Sequence, residues 1–367
     1  MNTIKTRVWE IAKENRTTSS TYIRFAILTL AITLSVLPLH AQLATESLDS
    51  PTRFQIVAFG DSLLDAGTYS PIADTFFGGG RFTTNPSRIF VQDVALHYGD
   101  ILTPAYLGGF GLPLLRAGGF DYAQGGSQVT IQPSTGFSGA TTIPVKEQLA
   151  DYLSVHKRFD SHQIVFFNGG ADDIFFNLTN AAAAGTPAAQ QAALQAISQA
   201  AVDLVGLVAT AFQNDAVHVV LMNIPDIGTT PEGIASGNSQ QLTQVAQLFN
   251  ATLEGALQQQ GLLDKVVLLD FFDLIDGIIT NFQANGFKVS NTGMACNLPA
   301  EIARATQLHL NNPSQFSDSL FCSPKNFNAP DADQTFMFAD TVHPTTHLSK
   351  IVTPFVVQLL EASGIGR

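Results

Sequence analysis

Short apolar runs alternate along this chain with longer stretches in which apolar residues return at every third or fourth position. Gln55–Phe59 and residues 163–168, 217–223 and 266–271 are apolar runs that meet Gly, Pro, Asn or Asp at their ends. Runs of this length and punctuation predict strands buried on both faces. A weaker run near residues 120–123 is a fifth candidate. Between them, residues 188–212 carry Leu194, Ile197, Ala201, Leu204, Val208 and Phe212 at helical spacing, with Thr186-Pro187 as cap and first-turn proline. Residues 240–260 place Leu242, Val245, Phe249, Leu253 and Leu257 on one side and stop at Gly261. A last helix is predicted after Pro344, through Leu348, Val352, Val356 and Leu359. The alanine run 181–184 reads as helix or linker. Alternating strands and helices predict an α/β fold, a single three-layer α/β/α domain around a central parallel sheet. The glycine- and phenylalanine-rich residues 74–82 and 106–120 read as loop insertions over the carboxyl edge of that sheet.

The N-terminus departs from this pattern. Lys5, Arg7, Lys13, Arg16 and Arg24 precede an apolar stretch over 25–37, and Pro38-Leu39-His40-Ala41 follows. The stretch is short for a bilayer crossing, so residues 1–41 read as a signal peptide cleaved after Ala41, with an uncleaved anchor as the alternative. Residues 42–52 form a polar lead and 53–367 a single domain. A secreted or periplasmic protein is expected, and cleavage would remove Trp9, the one tryptophan.

The full chain has 30 acidic against 18 basic residues, a net charge of −12. Such a surface argues against nucleic acid as a partner and against strong docking to anionic lipid, so no obligate membrane partner is expected. Phenylalanine occurs 27 times while charged residues make up 13% of the chain, a composition suited to a large core and an apolar cleft. The two cysteines, Cys296 and Cys322, can form one disulfide in an exported protein, with a chain-entropy contribution of roughly 3 kcal/mol. A zinc site would need more ligands than two thiols and the distant His309 supply, so no metal or cofactor is expected. Asn177-Leu178-Thr179 and Asn250-Ala251-Thr252 have the form of glycosylation sequons.

The chemistry concentrates at two places far apart in sequence. Phe59-Gly60-Asp61-Ser62-Leu63-Leu64-Asp65-Ala66-Gly67 follows the first strand directly. A strand ending in Gly-Asp-Ser presents a hydroxyl at the carboxyl edge, and a helix starting after Ser62 would aim its amides at a developing oxyanion. Near the other end stands Asp340-Thr341-Val342-His343. An aspartate three residues before a histidine can hold Nδ1–H and leave Nε2 free to take a proton from a serine, the division of labour in a Ser-His-Asp triad. Asp61 and Asp65 read as braces of the turn and His347 as a surface residue. No Gly-x-Ser-x-Gly elbow, His-Glu-x-x-His, P-loop or dinucleotide fingerprint occurs.

With these residues in view, the chain past residue 53 resembles the GDSL lipase/esterase family, also called SGNH hydrolases. The nucleophile block 59–67 is followed by Gly80-Arg81-Phe82-Thr83-Thr84-Asn85-Pro86, then Asp121-Tyr122-Ala123-Gln124-Gly125-Gly126-Ser127, then Asn168-Gly169-Gly170-Ala171-Asp172-Asp173, and finally the Asp340 to His343 block. These blocks stand in the family's order, and Asn223-Ile224-Pro225-Asp226-Ile227-Gly228-Thr229-Thr230-Pro231 resembles a loop of its longer members. The resemblance implies a carboxylic ester hydrolase working through an acyl-enzyme on Ser62, with Asp340 and His343 completing the triad. It also implies an oxyanion hole of the Ser62 amide, the Gly126 amide (Gly125 in the alternative register) and the side chain at 172. There the family has asparagine and this chain has Asp172, and an ionised carboxylate donates nothing. Either Asp172 stays protonated, or Asn168 or another group replaces it, or the site is crippled. The same residues would serve an acyltransferase, and a degraded oxyanion hole would fit a non-catalytic ligand-binding relative.

Overall fold

Side-chain alternation along four short strands builds the core. The computed structural model describes residues 53–132 and 142–366; the expected signal peptide and polar lead lie outside them. In chain order the strands are β1 (Gln55–Phe59), β2 (Tyr106–Gly109), β3 (Leu112–Arg116), β4 (Gln163–Phe167), β5 (His218–Met222), β6 (Val267–Leu269), β7 (Val289–Met294) and β8 (Phe336–Phe338). The central sheet runs β1-β4-β5-β6, all parallel, with Val57 beside Val165, Val165 beside Val219 and Val220 beside Val267. Val57, Phe59, Val165, Phe167, Val219 and Leu221 enter one core layer, while Ile56, Ala58, Ile164, Phe166, Val220 and Met222 enter the other. Both faces are dry, which is why these strands read as continuous apolar runs.

Helices cover both faces. We label them α1 (Ser70–Phe77), α2 (Phe90–His97), α3 (Val145–His156), α4 (Ala171–Ala184), α5 (Pro187–Gln213), α6 (Pro231–Ala235), α7 (Ser239–Gln259), α8 (Phe271–Thr280), α9 (Leu298–Gln307), α10 (Ala332–Thr335) and α11 (Thr346–Ala362). The first layer takes Leu149 and Tyr152 of α3, Ile197, Leu204 and Val208 of α5, and Phe249 and Leu253 of α7. The second takes Phe90 and Val94 of α2, Ile275 and Ile278 of α8, and Leu348, Val352 and Val356 of α11. Each such side chain, fully buried, contributes about 1.5–3 kcal/mol relative to exposure. The fold is therefore the three-layer α/β/α arrangement the hydrophobic pattern predicts. Thr186 caps α5 by accepting from the Ala189 amide at 3.2 Å, with Pro187 at the first helical position. That helix is long and apolar enough to cross a membrane by composition, yet it packs against α4 and α7 as a core-side helix.

Several expectations need correction. The run near 120–123 is no strand; Asp121 forms isolated bridges to Ala58 and Pro104. The Tyr122 amide donates to the Ala58 carbonyl at 2.8 Å, so the segment lines β1 without a continuous ladder. The predicted strand 266–271 ends at Leu269, because the Asp270 carboxylate accepts from the Asp273 amide and starts α8 at Phe271. Residues 74–77 belong to α1, and residues 106–116 form the antiparallel β2–β3 hairpin instead of open loop. Cys296 and Cys322 are joined, with Cα atoms 5.6 Å apart.

Candidate active site

The carboxyl ends of β1 and β4 make the floor of the site. Gly60 is obligatory there, since a Cβ at that position would lie 1.6 Å from the Asn168 Oδ1. Its amide donates to Gln148 Oε1 at 2.8 Å and its carbonyl accepts from Gln148 Nε2 at 2.9 Å. Asn168, just past β4, accepts from the Asp61 amide at 3.0 Å and donates through Nδ2 to Asp61 Oδ1 at 2.6 Å. Asp61 Oδ1 also accepts from the Leu63 amide at 3.0 Å. These bonds clamp the residue before Ser62. The helix expected directly after Ser62 is absent; residues 62–64 turn on the Asp61 carbonyl, and the first helix begins at Ser70. The turn wins because its amides are taken by buried aspartates. Asp65 accepts from the amides of Gly67 at 2.9 Å, Thr68 at 2.7 Å and Gly125 at 2.9 Å.

At the other end, β8 delivers the Asp340–His343 loop. Asp340 Oδ1 accepts from the amides of Val342 at 2.9 Å and His343 at 2.8 Å, which folds the four residues into one turn. Asp340 Oδ2 lies 2.7 Å from His343 Nδ1, and His343 Nε2 lies 2.7 Å from Ser62 Oγ. Asp340 and His343 are both buried, and the Phe82 ring packs 5.0 Å from the imidazole. The three residues singled out in sequence thus form one hydrogen-bonded line. Burial opposes the charge on His343, but the adjacent Asp340 and Asp318 carboxylates outweigh it and hold the imidazole well above its ordinary value, at about 9. Burial alone would raise Asp340; its pairing with His343 and three bonded amides instead hold it well below the usual carboxylate range.

The two glycine amides considered for an oxyanion hole differ in their bonding. The Gly125 amide is spent on Asp65, whereas the Ser62 and Gly126 amides have no partner among the described residues. Gly126 takes φ +87°, a left-handed conformation that suits glycine. Asn168 is held at both ends of its amide by Asp61, through one of its two Nδ2–H donors and its Oδ1. Asp172 occupies the first turn of α4, and its charge acts to raise the pKa of both His343 and Tyr69.

Other predicted residues fall outside. His347 is half-buried, with Nε2 bonded to the Asn285 carbonyl at 3.0 Å and its ring on Phe287. The Asn250 amide is bound at both ends to the Ile224 backbone and Asn177 donates to the Asp173 carbonyl, so the two sequon-like asparagines have structural partners. Among the described residues two trios could gather around an ion, Cys296–Glu301–Cys322 and Asp318–Asp340–His343. The first has its sulfurs joined and the second is bonded internally, so neither offers three open ligands. Gln148, Glu301 and Asp318 were not anticipated; each acts through contacts across long sequence separations that no local spacing announces.

With this geometry in place, comparison with known proteins is direct. The model of the GDSL-like Lipase/Acylhydrolase family matches residues 56–353, and the chain belongs to that family. It is similar to an uncharacterized protein from the trpE–trpG intergenic region of Pseudomonas putida, 24% identical over 361 residues, covering 93% of this chain and 52% of that one. The chain therefore spans about half the length of that relative. It is also similar to a GDSL esterase/lipase of Arabidopsis thaliana, 26% identical over 333 residues, covering 80% of this chain and 84% of that protein. Family membership supports acyl hydrolase chemistry in general.

Proposed function

We propose that the protein is a carboxylic ester hydrolase in which Ser62 forms an acyl-enzyme. The observation that carries this reading is the line Ser62 Oγ–His343 Nε2–His343 Nδ1–Asp340 Oδ2, with both contacts at 2.7 Å. Ser62 Oγ attacks the ester carbonyl as Nε2 takes its proton, and His343 then protonates the leaving alcohol. Water, deprotonated by the same nitrogen, cleaves the acyl-enzyme. Asp340 orients the ring and stabilises the imidazolium. The Ser62 and Gly126 amides receive the oxyanion, each such donor being worth about 2.7–4 kcal/mol in the transition state. Asp172 can join them only when protonated.

Phe82, beside His343, is buried in an aromatic cluster with Tyr69, Phe316 and Phe321 that packs the fold next to the imidazole. Hydrolysis of p-nitrophenyl esters of graded chain length tests the reading. Turnover of an ester in the series that disappears in Ser62→Ala supports it, and no turnover of any ester opposes it.

Export is part of the proposal. The N-terminal charge and hydropathy pattern favours a cleaved signal peptide, and the Cys296–Cys322 disulfide favours an oxidising compartment. N-terminal sequencing of the secreted product should begin near Gln42, and a product retaining Trp9 would refute cleavage.

A further inference from the structure

A carboxylate outside the relay stands beside it. Asp318 caps the short 3-10 turn Ser319–Phe321, its Oδ1 accepting from the Leu320 amide at 3.0 Å. The same Oδ1 stands 4.0 Å from His343 Nδ1, the nitrogen already bonded to Asp340. The next amide, Ser319 N–H, donates to Asp340 Oδ2 at 2.7 Å. One turn therefore supplies both a second carboxylate beside the imidazole, its pKa raised to about 6 by burial and the Asp340 charge, and a donor that fixes the first.

The turn is anchored from behind. Glu301 of α9 accepts from the Asp318 amide at 3.1 Å and from Asn326 Nδ2 at 3.0 Å, and Cys322, directly after the turn, is bonded to Cys296. Glu301 is fully buried; desolvation and the neighbouring Asp318 and Asp340 charges raise its pKa to about 9, so it is neutral near pH 7. Two other acids act on His343 from different elements, Asp172 at the start of α4 and Asp61 before the serine. Asp318, which does not bond Nδ1, stands within ion-pair range of it.

We propose that Asp318 is a positioning residue acting through His343: it shares with Asp340 the stabilisation of the imidazolium and so sets the pH at which His343 becomes a base. This inference rests on the reading of Ser62, His343 and Asp340 as the catalytic relay. An opposite charge within about 4–6 Å moves a pKa by 1–3 units, and Asp318 is partly exposed, so a shift on the order of one unit is expected from its loss.

The test uses the purified full chain and Asp318→Asn, which keeps the Oδ1 acceptor for Leu320; Asp318→Ser, also a good helix cap, guards against an effect peculiar to asparagine. Two readouts are compared: the imidazole titration of His343 by NMR, assigned by its loss in His343→Gln, and the acidic limb of kcat/KM for p-nitrophenyl butyrate. Both should move to lower pH by on the order of one unit, with KM changed less than about twofold. A merely structural role would lower kcat at every pH and leave the limb in place. An unmoved His343 titration in both variants overturns the inference whatever the activity. Absence of ester hydrolysis by the wild type would overturn the proposed function instead, and the NMR titration would still decide the role of Asp318.

Discussion

Asp65 Oδ2 accepts the Gly125 amide at 2.9 Å, a bond across 60 residues that occupies Gly125 and leaves the Gly126 amide without a partner among the described residues. The turn that carries Ser62 and the loop that carries Gly126 are thus one hydrogen-bonded unit. Burial raises the Asp65 pKa, and the three amides bonded to it act in the opposite direction.

Asp65→Asn should separate that unit. The asparagine oxygen can keep the Gly67 and Thr68 bonds, but its amide end then faces the Gly125 N–H, donor against donor. Leaving that buried amide unpaired costs about 1–3 kcal/mol. Urea denaturation should show a loss in this range, and kcat should fall more than tenfold with KM little changed. A kcat equal to that of the wild type would mean that the Gly126 amide needs no support from Asp65.

Asp172→Asn is expected to keep or raise kcat for short esters. It supplies an oxyanion donor at every pH and removes one of the charges that raises the His343 pKa. Since His343 must be neutral to accept the Ser62 proton, lowering its pKa should move the acidic limb of kcat/KM to lower pH. Asp172→Ala relieves the same charge without restoring a donor, so it should not exceed the asparagine variant. A large loss of kcat in folded Asp172→Asn would show that the carboxylate itself is required.

Glu301 makes stability depend on pH. Its folded pKa, raised by burial to about 9 from 4.5, means that the folded protein holds a proton the unfolded chain releases above about 4.5. Stability should therefore fall as pH rises from about 5 towards 9. Glu301→Gln keeps a neutral side chain of similar shape, so its urea midpoint should decline less between pH 5.5 and pH 8.5. His343, with its pKa likewise raised, adds a loss of stability through about pH 9 in both proteins, which the comparison cancels. Equal declines would show that Glu301 is ionised in the folded state.

Much of this was legible in the sequence. The strands show as apolar runs because both faces of the sheet are buried, and α5 and α7 show because their apolar stripes face one core layer. Ser62, Asp340 and His343 could be found because Gly-Asp-Ser after a strand and an Asp-x-x-His turn are local patterns. What remained hidden is non-local. The short β6 yields to the Asp270 cap, and the β2–β3 hairpin is masked by its glycines. The clamp of Gly60 by Gln148 spans 88 residues, and the approach of Asp318 to His343 is made by a turn whose own sequence signals only a cap. Asn168, which could have served as the missing oxyanion donor, is bound to Asp61 across 107 residues.

The central claim is that His343, held by Asp340, makes Ser62 a nucleophile. A fluorophosphonate probe followed by peptide mass spectrometry tests it most directly. The wild-type protein should be labelled once, on Ser62, with labelling lost in Ser62→Ala and strongly reduced in His343→Ala. Undiminished labelling of Ser62→Ala, or none of the folded wild type, would contradict the account.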